Sequence, residues 1–215
     1  MGFTPTQTIP NDVSKPITTV AISVWFEAPS RLFTVFPSFQ YEDKACNPSF
    51  VPAADTGIPD NDVRQCLIYD SPDRNARLIG IEYMIAPHLF EALPQDERRL
   101  WHSHVYEVKS GMLVMPNRVV PESVWEAAET KEMEEVIKLY GKTYHLWQTD
   151  RGDALPLGEP KLMMSYTADG QLDSDKVEKR DAKFAVSYKK KQVIREGIEC
   201  PRIHPDADSA WSSKN

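Results

Sequence analysis

The run Arg-Leu-Ile-Gly-Ile-Glu-Tyr-Met-Ile at 77–85 constrains this chain more than any other. In it Ile79, Ile81, Tyr83 and Ile85 alternate with Leu78, Gly80, Glu82 and Met84. A period of two with β-branched residues predicts a β-strand, each set lining one face. Glu82 stands in the middle of it. An unpaired buried glutamate is rare, so its ordinary place is a solvent-facing position; the alternative is a place beside reactive groups.

A second stretch carries the chemistry. Trp-His-Ser-His-Val-Tyr-Glu-Val-Lys-Ser-Gly at 101–111 holds two of the five histidines. Read as a strand, it turns His102, His104 and Tyr106 to one face and Ser103, Val105 and Glu107 to the other. Ser110-Gly111 then predicts a hairpin into 112–115. A further strand at 142–149 places His145 and Trp147 on one face. Three imidazoles from His102, His104 and His145 would supply the nitrogens of a divalent metal site such as zinc, with one position left open. Glu107, facing away, is left out of that sphere. Without a metal, one imidazole would serve as general acid or base, assisted by Tyr106 and Glu82. The plain alternative is a hydrogen-bonded histidine pair in a mixed core beside Trp101 and Trp147.

The remaining elements set the fold class. Apolar, β-branched residues at 17–26 end in Trp25-Phe26 and predict a buried strand, continued in style at 31–41. The stretch 43–62, with Pro48, Pro52, Pro59 and Gly57, reads as a long loop. A short strand follows at 64–69. Helical character at 88–100 is interrupted by Pro94, which suits the first position of a second helix. At 121–140 an amphipathic helix presents Trp125, Ala128, Met133, Val136, Ile137 and Tyr140, with Gly141 as its C′ residue. A strand at 161–167 and a polar helix at 173–188, running into Lys189-Lys190-Lys191, complete the reading. The expectation is a single α+β domain, a mainly antiparallel sheet with two packed helices, spanning 17–200. An extended arm at 1–16 precedes it and a tail at 201–215 follows.

Composition narrows the partners. Lys+Arg of 25 against Asp+Glu of 32 leave 25 − 32 = −7, which repels phosphate backbones, so nucleic acid is not expected. Three scattered cysteines make neither a disulfide framework nor a metal knuckle and suggest a reducing, cytoplasmic setting. No apolar run approaches the roughly 20 residues of a spanning helix. Gly2 and Thr6 fit the myristoylation pattern formally, against the simpler reading of an extended start. Serine-hydrolase and P-loop signatures are missing.

Several blocks taken together resemble a known family. Arg-Gln-Cys-Leu-Ile-Tyr-Asp-Ser at 64–71, Asn-Ala-Arg-Leu-Ile-Gly at 75–80, the 100–111 stretch and Asp-Arg-Gly-Asp at 150–153 through Leu-Met-Met-Ser at 162–165 look like the oil body-associated proteins. That family is known from plant seeds and occurs in fungi and bacteria. The likeness runs from about 62 to 183. It implies association with lipid droplets, without an assigned catalytic activity and without a spanning hairpin, so contact would be peripheral. The family pattern carries histidines ahead of the Arg-Gln-Cys block. Here 17–63 has none and is aromatic instead. Two functions are therefore expected. One is binding of a lipophilic molecule or the droplet surface, with Trp25, Phe26, Trp101 and Trp147 as apolar contacts. The other is a small isomerase, lyase or cyclase using His102, His104 and His145.

Overall fold

The computed structural model describes residues 62–70, 76–115, 121–172 and 174–209. The expected arm, the elements at 17–26 and 31–41 with Trp25 and Phe26, and most of the 43–62 loop lie outside the described residues.

Five strands form one sheet in the order β1-β2-β4-β3, with β5 also paired to β4. They are β1 (Val63–Tyr69), β2 (Leu78–Ile85), β3 (His102–Ser103), β4 (Tyr140–His145) and β5 (Lys161–Met163), and every pairing is antiparallel. The α+β architecture stands as expected. β3 and β5 share one edge of β4: His102 faces Gly141 at one end, and Lys161 faces His145 at the other.

Helices cover the sheet unequally. They are α1 (Pro87–Glu91), α2 (Gln95–Arg98), α3 (Val105–Lys109), α4 (Glu122–Val136), α5 (Ser174–Phe184) and α6 (Tyr188–Ile194). On the inner face Cys66 and Met84 join Met133, Val136, Ile137, Leu139 and Val108 in the main core. On the outer face Ile85, Trp101 and Tyr140 pack with Phe90, whose ring stacks on Tyr140 at 3.9 Å, and with Ala207. The 201–209 segment is therefore part of the packed structure. Arg98 donates to Asp206, and the His204 and Phe90 rings meet edge to face at 5.4 Å.

Four expectations are corrected. The strand over 101–111 stops after Ser103. His104 becomes the N-cap of α3, whose helical bonding starts with the Val108 amide donating to the His104 carbonyl. Strand propensity at Val105 and Val108 yields to tertiary contacts here. Lys109 Nζ donates to the carbonyls of Arg195, Glu196 and Ile198, and Val108 is fully buried. Gly111 does turn the chain, at φ 74°, and a Cβ there would stand 2.1 Å from the Tyr188 carbonyl oxygen. What precedes that turn is a helix, so the hairpin does not form. α4 ends at Val136 instead of 140, because Tyr140 pairs with Ile85 in the sheet. The polar helix also breaks after Phe184. Ser187 accepts the Lys190 amide and caps the separate α6.

Candidate functional site

β2, β3 and β4 bring Glu82, His102 and His104 to one point on the inner face. Glu82 lies opposite Thr143, and His102 lies opposite Gly141, one pleat along β4. Glu82 Oε1 is 3.0 Å from His102 Nε2 and 3.4 Å from His104 Nε2. All three residues are buried, and one ligand-capable atom from each falls within 4.8 Å of the others. The imidazoles meet edge to face at 5.1 Å. Glu82 is thus turned inward, away from the solvent-facing position expected of it, because two histidines meet its carboxylate there.

Gly141 makes this convergence possible. A Cβ on it would lie 2.5 Å from Glu82 Oε1, 2.5 Å from His102 Nε2 and 2.8 Å from His104 Cε1. Its role is close approach within a strand, not termination of a helix. The backbone between the histidines is held from the far end of the chain. Asp208 accepts both the Ser103 amide and the Ser103 hydroxyl at 2.8 Å, from a left-handed φ of 60°.

The electrostatics follow from burial and pairing. Burial alone would raise the Glu82 carboxyl, but hydrogen bonds and charge from His102 and His104 outweigh it and hold the group far below the usual carboxylate range. For His104 burial works to lower the value. Glu82, the charge of Glu107 and the Leu139 carbonyl, 2.9 Å from Nδ1, overcome this and raise it to about 9. Nδ1 of His102 is buried with no hydrogen-bond partner among the described residues.

Sequence reasoning set Glu107 aside, and the structure returns it. One helical turn after His104, its carboxyl is hydrogen-bonded by Ser165 and lies within electrostatic reach of His104, His102 and Glu82. Burial raises it, and the histidines and Ser165 oppose that rise only in part. Helical i,i+3 spacing, not strand alternation, was the signal that could have found it.

Other expected residues stand apart. Tyr106 points from α3 to Asp169, donating its hydroxyl at 2.7 Å; burial and that carboxylate raise its phenol. His145 is fully buried on the same sheet face, opposite Gly80. It lies two residues beyond Thr143, about 7 Å along β4 for each such step, and outside the close trio. Trp101 sits in the outer core under the Lys142 ammonium at 4.9 Å, with its indole N–H donated to Glu97. Trp147 lies at the opposite end of β4, its N–H donated to the Asp153 carbonyl at 2.9 Å and its ring covered by Arg77. Asp153 opens a turn in which Leu155 and Leu157 are 60% and 59% exposed. Leu78, also exposed, begins β2 at this same end, where the Leu146 and Trp147 amides donate to Ile79.

Fold and site define an antiparallel α+β protein with a carboxylate and two histidines buried against one sheet face. The family model described as "Protein of unknown function (DUF1264)" matches residues 54–199. The chain belongs to this family, that of the oil body-associated proteins. It is 49% identical over 150 residues to "Oil body-associated protein 1A" of Zea mays, covering 69% of this chain and 60% of that one. It is 45% identical over 149 residues to "Oil body-associated protein 1B" of Arabidopsis thaliana, covering 68% and 59%. The chain thus spans about three fifths of the length of these relatives. No solved structure matches it.

Proposed function

We infer that this protein contacts the surface of lipid droplets peripherally, through the apolar turn at the Trp147 end of the sheet. The observation that carries the reading is the pair Leu155 and Leu157, both mostly exposed on a turn braced by Trp147. Large apolar side chains presented on a fixed turn suit a surface that can bury them. The relatives named for oil bodies support the choice of surface, and among the described residues no helix is long and apolar enough to cross a membrane.

Magnitude favours a reversible contact. Burying two leucines that are already about 60% exposed yields roughly 2–4 kcal/mol, which is millimolar affinity at best. A droplet surface can take up both leucines of the turn together.

The test is flotation of the full chain with triolein emulsions coated in phosphatidylcholine. Wild type is expected to float and the Leu155→Asp/Leu157→Asp variant to remain below, with unchanged circular dichroism. Added phosphatidylserine should weaken flotation, since the protein carries a net charge of −7. Wild type left below the emulsion, or a double variant that floats equally well, would overturn the reading.

A further inference from the structure

We propose that Glu82, His102 and His104 bind one divalent first-row transition-metal ion, with Oε1 of the carboxylate and Nε2 of each imidazole as ligands. This goes beyond droplet contact, from which it is separate in place and in chemistry.

Two of the three ligand separations are those of a coordination polyhedron. Ligand atoms about 2.1 Å from a metal are about 3.0 Å apart at a right angle and about 3.4 Å apart at a tetrahedral one. The two separations from Glu82 Oε1 are 3.0 and 3.4 Å. The shorter is also an ordinary hydrogen-bond length, and the longer is that of a stretched one.

Tautomer geometry points the same way. Nδ1 of His104 lies 2.9 Å from the Leu139 carbonyl oxygen, an acceptor only, so Nδ1 carries the proton. In the neutral ring the Nε2 lone pair then faces the Glu82 carboxylate, which is repulsive unless a proton or a cation stands between them. A backbone carbonyl that fixes Nδ1–H so that Nε2 can ligate is the usual outer support of a metal-bound histidine. Room is also provided, because Gly141 leaves open the volume that any Cβ would take from all three ligand groups.

Charge and ligand type decide the class of ion. Two imidazoles with one carboxylate suit iron, manganese, cobalt or zinc; calcium and magnesium prefer all-oxygen sites. Glu82 offers a dication one negative charge, with Glu107 within electrostatic reach. His145, the third ligand expected from sequence, is replaced in this set by Glu82.

The experiment uses the full chain, stripped with chelator and titrated with Co(II), then competed with Zn(II). One equivalent of Co(II) is expected, with visible ligand-field absorption and paramagnetic shifts on the His102 and His104 ring resonances. Glu82→Gln, nearly isosteric, and His104→Ala should each weaken binding by 100-fold or more. His88→Ala, at an exposed position, should leave it unchanged. Folded wild type that takes up neither ion overturns the proposal. So does a Glu82→Gln variant that binds as tightly as wild type, or Co(II) that shifts His88 or His204 instead. If the variants do not fold, the wild-type titration and shifts decide alone.

Discussion

At the scale of single residues, Gly141 sets the tightest requirement within the site. The space a Cβ on it would fill is taken by Glu82, His102 and His104. Gly141→Ala must push apart three groups that are buried and mutually bonded. A loss of about 1–3 kcal/mol is expected, in the range of overpacked interiors, together with weakened metal uptake. Urea midpoints measure it, and a midpoint within error of wild type would mean the trio is loosely held. The histidines were legible because two imidazoles two residues apart are uncommon and the chain has few. Gly141 was not: a glycine after a helical pattern looks like a helix stop, and only the pairing of Tyr140 with Ile85 moves it into a strand. Glu107 was hidden for a similar reason. Alternation turns it away from His104, whereas a helical turn brings it back.

Among the elements, α4 shows what hydrophobic spacing can and cannot reveal. Met133 and Val136 are buried as expected, yet Ala128 faces solvent and Glu129 is fully buried. Glu129 accepts the Met115 amide and pairs with Lys191 and Arg195, while Glu126 also meets Lys191. Arg195 in turn donates to the carbonyls of Val108 and Leu113. α4 is therefore docked on α3 and α6 by buried charge as much as by apolar contact. A carboxylate on a helix reads as exposed until its partner is known, and this partner lies 62 residues away. Glu129→Ala would take from the buried Arg195 the carboxylate it pairs with, leave Lys191 to Glu126 alone, and is expected to cost about 3–5 kcal/mol in chemical denaturation. Glu134→Ala, on the exposed side of the same helix, should stay within about 0.5 kcal/mol. A Glu129 variant as stable as that control would show the buried charges to be dispensable.

For the molecule as a whole, the strand alternation at 77–85 together with the helical patterns at 121–140 and 173–188 was sufficient to give the antiparallel α+β class. Its two-sided cover was not legible, because the outer core recruits residues past 200 that read as a tail. Stability against pH is a property of this whole. In metal-free protein His104 is raised from 6.5 to about 9, so its contribution is present below about pH 6.5 and is lost as pH climbs through 9. Glu82 is lowered from 4.5, so its share is present above that value and is lost as acid protonates it. Both describe one pairing, and denaturation midpoints of stripped protein should be highest near pH 5–6.5 and fall toward pH 9.5; equal midpoints at pH 6 and 9.5 would refute it. The Asp208 brace has a further consequence. It lies 105 residues beyond Ser103, so at ordinary synthesis rates of about 5–20 residues per second it leaves the ribosome some 5–20 s after the histidines. During that interval the nascent chain offers His102 and His104 to its surroundings without their final support, so the order of synthesis sets the order in which the two histidines are fixed.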